Sequence, residues 1–218
     1  MIIAVPSIPF GMEILASAVA VVNTFGYGRG MDDRLNRQHW LDAGLERLAS
    51  HGPQGLRIMA IAEQLGVTKG SFYWHFRDQR EYAAALLAEW ELTRTQHIID
   101  QVERAVDGAA VKLRNLMSVT VAADPRLALA IRSWASTDPL VRKAVKRVDK
   151  KRLAYLSGLI AALGWSDDDA ATLARWAHGA LLGYFILEGP ALTEAQIDLI
   201  LSTLASPNKP PSAQRYRT

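Results

Sequence analysis

The chain has 218 residues and not one cysteine. That excludes disulfides, thiolate metal sites and cysteine nucleophiles together, and it suits a reducing, cytoplasmic setting. Long apolar runs are also missing. The run from Ile14 to Val22 has nine residues, whereas a bilayer span needs about twenty. Basic charge is absent from the start of the chain, since no Lys or Arg precedes Arg29, and a secretory signal needs a positive first region. No membrane partner is expected. Alternating β-branched stretches are wanting too; Val19–Val22 comes nearest, so strands are not expected.

Catalytic patterns are equally scarce. The five histidines stand at positions 39, 51, 75, 97 and 178, without metal-ligand spacing. The glycines of Gly26-Tyr27-Gly28-Arg29-Gly30 follow no strand and lack phosphate-loop spacing. No nucleophile elbow, Walker loop or zinc-protease motif occurs. Asp167, Asp168 and Asp169 are read as first-turn acids favoured by a helix dipole. The expectation is a protein without cofactor, metal or enzymatic activity.

What is present is apolar matter in helical arrangement. Half the residues are hydrophobic, ample for a buried core. Formal charge is +3 and the isoelectric point about 9.3, a mild lean towards anionic partners. Between Arg34 and Arg80 stand seven Lys/Arg against four Asp/Glu, so the excess is local. A second basic run, residues 142–152, holds seven Lys/Arg and Asp149 beside an apolar stripe of Val141, Val145, Val148, Tyr155, Leu156 and Leu159; it reads as an amphipathic helix with a solvated face.

Helix ends are marked throughout. His51-Gly52-Pro53 closes a first helix over about 33–50. Asp78 with Glu81 is a capping-box pattern opening a helix over about 79–106, which Gly108 breaks. A fifth helix over about 109–122 precedes Asp124-Pro125, where Asp can cap and Pro sits first in the helix. Asp138-Pro139 repeats that device. Ser166 with Asp169, and Thr193 with Gln196 after Gly189-Pro190, start two more helices. The expected fold class is all-α. Residues 1–30 read as a disordered extension or an over-long start, Met31 being a natural beginning; the rival is a short extra helix. Residues 206–218, proline-rich at Ser206-Pro207-Asn208-Lys209-Pro210-Pro211, read as a disordered tail.

The most informative stretch is Ile58 to Phe76. Ile58, Ile61, Ala62 and Leu65 recur at helical spacing, and Gly66 ends that helix in a left-handed C′ position. Thr68 then stands as N-cap of a second helix through Phe72 and Phe76. Two short helices about a tight turn form a helix–turn–helix, which sets its second helix in the major groove of DNA. That second helix offers Thr68, Lys69, Ser71, Tyr73, Trp74 and His75, mostly hydrogen-bond donors and flat rings. Phe72 and Phe76, four apart, read as core; Tyr73, Trp74 and His75 lie on other faces.

This run, Gly66-Val67-Thr68-Lys69-Gly70-Ser71-Phe72-Tyr73-Trp74-His75-Phe76 followed by Arg77-Asp78-Gln79-Arg80-Glu81, resembles the DNA-binding signature of the TetR family of transcriptional regulators. Leu41, Leu45 and Leu48 of the supporting helix fit as well. In detail the resemblance covers roughly residues 34–90; beyond them only an all-helical region of suitable length is similar. Thr68, Tyr73 and His75 suit phosphate contacts, and the resemblance implies this for Tyr73 and His75. Lys69 and Ser71 suit base edges, Trp74 a sugar or thymine methyl, and Gly70 a close approach of backbone to DNA. Two positions depart from the family pattern. Arg57 stands where many members have Thr, and Gln79 where many have Lys.

The resemblance implies a helix–turn–helix domain at 31–78 and a ligand-binding and dimerisation domain at 79–205. It also implies a homodimer on a palindromic double-stranded DNA operator, and an unidentified small-molecule effector that relieves repression. Trp90, Thr93, His97, Met117, Arg132, Trp134 and Trp176 are candidates to line the effector pocket. The dimer interface is expected from two apolar helices, through Leu173, Trp176, Ala177, Ala180, Leu181, Tyr184, Ile197 and Leu201. A different class of function stays open, a helical protein–protein adaptor that keeps the helix–turn–helix only as structure.

Overall fold

The computed structural model describes residues 36–104, 108–187 and 192–205. The expectations for residues 1–30 and 206–218, and for Gly189-Pro190, lie outside them. Among the described residues there are nine helices and no strand. Helix α1 is Arg37–His51, followed by a 3-10 turn, Gly52–Gly55; α2 is Ile58–Gln64 and α3 is Lys69–His75. Helix α4 begins as Gln79–Glu91, passes through a π-helical turn at Leu92–Gln96 and continues as His97–Glu103. Then follow α5, Ala109–Val121; α6, Arg126–Thr137; α7, Pro139–Ala161; α8, Asp167–Ile186; and α9, Glu194–Ala205.

The caps explain most of these bounds, because the first amides of a helix have no partner within it. Asp138 accepts from the N–H groups of Leu140 and Val141, and Ser166 from that of Asp169. Thr193 and Gln196 cap each other reciprocally. Two expectations need correction. Glu81 N–H donates to Asp78 at 2.7 Å, but the Glu81 carboxylate accepts from the N–H of Arg77, one residue before the cap. Pro125 is the cap of α6 and not its first residue, with Asp124 accepting from Arg126 N–H at 3.0 Å. Helix α1 starts from a box the sequence reading missed, Asn36 with His39.

One large core runs through α1–α4, α6 and the first half of α7, with Trp40, Ile61, Phe72, Tyr82, Trp90, Ile131 and Val148 fully buried. Each such side chain contributes about 1.5–3 kcal/mol relative to exposure. This core passes without a break across Asp78 and Gln79, joining the helix–turn–helix to the helices behind it. The second half of α7 enters two smaller cores, with Leu113 and Leu204 around Leu159, and with Ala170 and Ala174 around Ile160. Helix α7 is thus the shared spine. Its basic face stays exposed at Arg142, Lys143, Lys146, Arg147 and Lys150.

Gly44 lets α1 and α4 approach. A Cβ there would collide with the Tyr82 hydroxyl and lie 2.8 Å from Leu86. The Tyr82 hydroxyl uses the space to donate to the Trp40 carbonyl at 2.6 Å. Burial raises the pKa of that phenol above its ordinary value.

Candidate functional site

Helix α3 has only seven residues, too few to be stable alone. It is held by its buried face. The Phe72 ring meets Trp40 of α1 and Tyr82 of α4 edge-on at centroid distances of 5.4 and 5.3 Å, and Phe76 meets Tyr82 at 4.8 Å. Such pairs contribute about 0.5–1.5 kcal/mol beyond area burial. The turn before α3 is set by Gly66 at φ +68°, the left-handed region that glycine enters without strain.

With Phe72 and Phe76 inside, the opposite face is forced outward. Trp74 is 88% exposed and Tyr73 52%; Thr68, Lys69 and Gly70 are exposed, Ser71 and His75 half-buried. Thr68 is the N-cap residue, as expected, but its side chain makes no capping bond, which leaves the hydroxyl on the surface. The Lys69 ammonium lies 6.0 Å from the Tyr73 ring centroid, one helical turn away. A Cβ on Gly70 would meet nothing closer than the Thr68 hydroxyl at 3.5 Å. The fold therefore has room for a larger residue at Gly70.

The flanking residues divide by what holds them. Arg57 is exposed and caps α2 by position only, with no side-chain bond to the helix. Gln79, at the head of α4, donates to the Leu56 carbonyl at 3.0 Å. It ties α4 to the loop ahead of α2. Arg47, one of the basic residues of this region, is also occupied, donating to the Gly55 carbonyl at 2.9 Å. Arg77 pairs with Asp78 at the surface, and hydrogen bonds from Glu81 N–H and Arg77 lower the Asp78 carboxyl pKa. Hydroxyl, phenol, imidazole, indole and ammonium donors thus surround the part of α3 that the core leaves uncovered, a chemistry suited to a polyanion with flat edges.

The expected pocket residues separate. Trp90 is buried in the main core. Thr93 is half-buried, its hydroxyl donating back to the Glu89 carbonyl, and Met117 is half-buried on α5. His97 and Trp176 are exposed, the latter 65%. Trp134 is half-buried and borders an open groove of about 630 Å³ at the seam of α4, α6 and the 3-10 turn, with Leu56, Tyr82 and Pro139 also lining it.

Arg132 leads to a half-buried polar centre that the sequence reading did not assemble. Its guanidinium forms a two-pronged pair with Asp149 of α7 at 3.0 and 2.5 Å, and His178 Nε2 of α8 lies 3.3 Å from the same carboxylate. Burial pushes the Asp149 carboxyl up, but hydrogen bonds with His178 and Arg132 outweigh it and hold it well below the usual carboxylate range. Arg132 Nε is buried and finds no acceptor among the described residues. Arg152, one turn along α7, faces the π-helical turn of α4. It donates to the Thr95 hydroxyl at 3.0 Å and the Arg94 carbonyl at 2.9 Å, and its guanidinium carbon stands 5.5 Å from the Trp90 ring centroid.

The expected dimer residues also separate. Trp176 and Ala180 are exposed on α8; Ala177, Leu181 and Tyr184 are half-buried, and the Tyr184 hydroxyl has no partner among the described residues. Ile186 and Leu187 continue the exposed apolar face, Leu187 at 82%, and Leu199 of α9 is exposed as well. Leu173 and Leu201 pack on the small core around Leu159, and Ile197 is fully buried in its own chain. Those three support the face from within.

Residues 41–86 match the family described as bacterial regulatory proteins, tetR family. The tetracycline repressor protein class D of Escherichia coli is 39% identical over 56 residues, 26% of each chain. The transcriptional regulator AcuR of Cereibacter sphaeroides is 32% identical over 104 residues, 47% of this chain and 46% of that one. The matched stretches thus span less than half of these relatives' length. The structure of the transcriptional regulator FadR from Bacillus subtilis in complex with stearoyl-CoA superposes with a TM-score of 0.61 at 19% identity, covering 78% of this chain and 98% of that one. At that identity the likeness is one of fold.

Proposed function

This chain belongs to the TetR family of bacterial regulatory proteins, and we propose that it is a ligand-responsive transcriptional repressor binding a palindromic DNA operator as a homodimer. One observation carries the reading: α3 buries Phe72 and Phe76 and turns Lys69, Ser71, Tyr73, Trp74 and His75 away from the core. Nothing in the fold requires that company of side chains on a surface. Thr68, Tyr73 and His75 position the helix on phosphates, with Arg57 beside them; Lys69 and Ser71 reach base edges, Trp74 a sugar or thymine methyl, and Gly70 keeps the backbone close. Gln79 contributes by fixing the head of α4 through Leu56.

The second copy docks on the exposed apolar face of α8, through Trp176, Ala177, Ala180, Leu181 and Tyr184, and on α9. A two-fold axis there sets two α3 helices facing successive major grooves of DNA, about one helical turn apart. An effector that binds the non-DNA arrangement better shifts the spacing of the two helices and lowers operator affinity. Two of the similar proteins, a tetracycline repressor and a regulator solved with a bound acyl-CoA, support this direction. The chemistry follows without a catalytic step.

The experiment is a salt titration of binding to random-sequence duplex DNA. A dimer neutralising several phosphates gives a plot of log affinity against log salt falling with a slope of about −0.9 per phosphate contact. A flat plot, or no binding at low salt, would return the protein to the adaptor reading.

A further inference from the structure

The half-buried centre between α4, α6, α7 and α8 contains two guanidinium groups, Arg132 and Arg152, and one carboxylate, Asp149. Asp149 is fully used: both its oxygens accept from Arg132, and one of them also meets His178. Arg152 receives no carboxylate among the described residues. Its partners are a hydroxyl and a backbone carbonyl, both neutral, and burial together with the Arg132 charge brings its pKa down to about 10. A half-buried cation without an anion forgoes the pairing that usually accompanies such burial. Here the chain instead spends a π-helical turn on the site, since Thr95 and the Arg94 carbonyl that hold Arg152 both lie in it. Such turns are frequent at functional sites.

Resting on the regulator reading above, we infer that this centre receives a small organic monocarboxylate, whose charge balances the surplus guanidinium. The carboxylate accepts from the Arg132 Nε–H edge that Asp149 leaves open, and it sits in the field of Arg152. A single negative charge balances the surplus guanidinium. The neighbouring Trp90, Ile131 and Val148 belong to the hydrophobic core, so an apolar body on the acid is favoured over a polyhydroxylated one. The position also suits a switch. Arg132 lies on α6, whose Leu127, Ile131 and Ala135 belong to the same core as Trp40 and Leu41 of α1. A carboxylate that shares Arg132 with Asp149 alters how α6 is held on α7, and α6 packs directly on α1, the helix that supports the helix–turn–helix.

The test uses the full chain, titrated with hexanoate and benzoate, with hexanamide and benzamide as uncharged matches and choline as a cation. Melting temperature and tryptophan fluorescence are followed. The carboxylates should raise the melting temperature in a concentration-dependent way and perturb the fluorescence through Trp90; the amides and choline should do neither. Arg132→Met and Arg152→Met should each weaken carboxylate binding at least tenfold, the scale of one charged hydrogen bond. Equal responses to acid and amide, or no carboxylate response up to about 10 mM, would overturn the inference. The acid–amide contrast on the unaltered chain does not depend on any variant folding. DNA binding by salt titration of the same preparation is the separating arm. Intact DNA binding without a carboxylate response removes only this inference, whereas a carboxylate response without DNA binding removes only the regulator reading.

Discussion

Trp74 on α3 and Trp176 on α8 are both exposed, 88% and 65% respectively, yet their surroundings are opposite. Trp74 stands on a helix whose uncovered surface also carries Lys69, Tyr73 and His75, all able to donate a hydrogen bond. Trp176 sits with Ala180, Ile186 and Leu187, which have only apolar surface to give, and Leu199 of α9 is exposed in the same way. The same side chain thus marks two different partners. A donor-rich convex face suits the edges and phosphates of a nucleic acid, and a contiguous apolar face suits a second protein surface. An exposed tryptophan marks a candidate surface, and its neighbours identify the occupant.

The largest effect comes from removing what holds both faces in place. Gly44→Ala should destabilise the chain by the upper end of the roughly 1–3 kcal/mol that overpacking costs, or more, because the new methyl collides with Tyr82 and Leu86. Thermal melting checks this; an unchanged melting temperature would mean that α1 and α4 can separate freely. Next is Trp176→Arg. It lies outside the chain's own core, so helix content should stay unchanged, while dimer affinity falls by about 2 kcal/mol or more, a loss of roughly thirtyfold. Sedimentation at micromolar concentration should show monomer. The same substitution at Trp74 should leave the dimer intact.

Lys69→Ala should cost about 1–3 kcal/mol of discrimination at one base pair of each half-site. Site selection returning the parental consensus would remove Lys69 as a base reader. The smallest effect is the sharpest in sign. Gly70→Ala replaces a first-turn glycine where the fold has room, so stability should rise, by less than the roughly 1 kcal/mol of a helix-interior site. DNA affinity should fall, since the added methyl stands between backbone and groove. A rise in both quantities would show that Gly70 does not face the DNA.

Local chemistry was legible in the sequence, and distant pairing was not. Gly66, Asp138 and Ser166 act over two or three residues, so their turn and caps can be read from neighbours alone. The split of α3 into a Phe72–Phe76 face and an opposite polar face follows from helical geometry. By contrast, Gly44 reads as an unremarkable helix glycine until Tyr82, far along the chain, fills the space above it. Arg152 reads as part of a solvated basic run, yet it turns inward to Thr95 and Trp90 and leaves the rest of that run outside. Asp149 was only the lone acid among those bases until α6 and α8 brought Arg132 and His178 to it. The π-helical turn has no local signal either, and its occupants are set by that tertiary contact. Ile197 follows the apolar spacing of α9 but is spent on its own chain's core.

The central claim is that the α3 face reads DNA while the α8 face joins two copies, so that neither works alone on an operator. Hydroxyl-radical footprinting of the full chain on a duplex recovered by site selection tests both at once. The account predicts two protected patches related by a dyad and about 34–36 Å apart, reduced to weak, single-patch protection by Trp176→Arg. A single patch from the unaltered chain, or an unchanged double patch from the Trp176 variant, would contradict it.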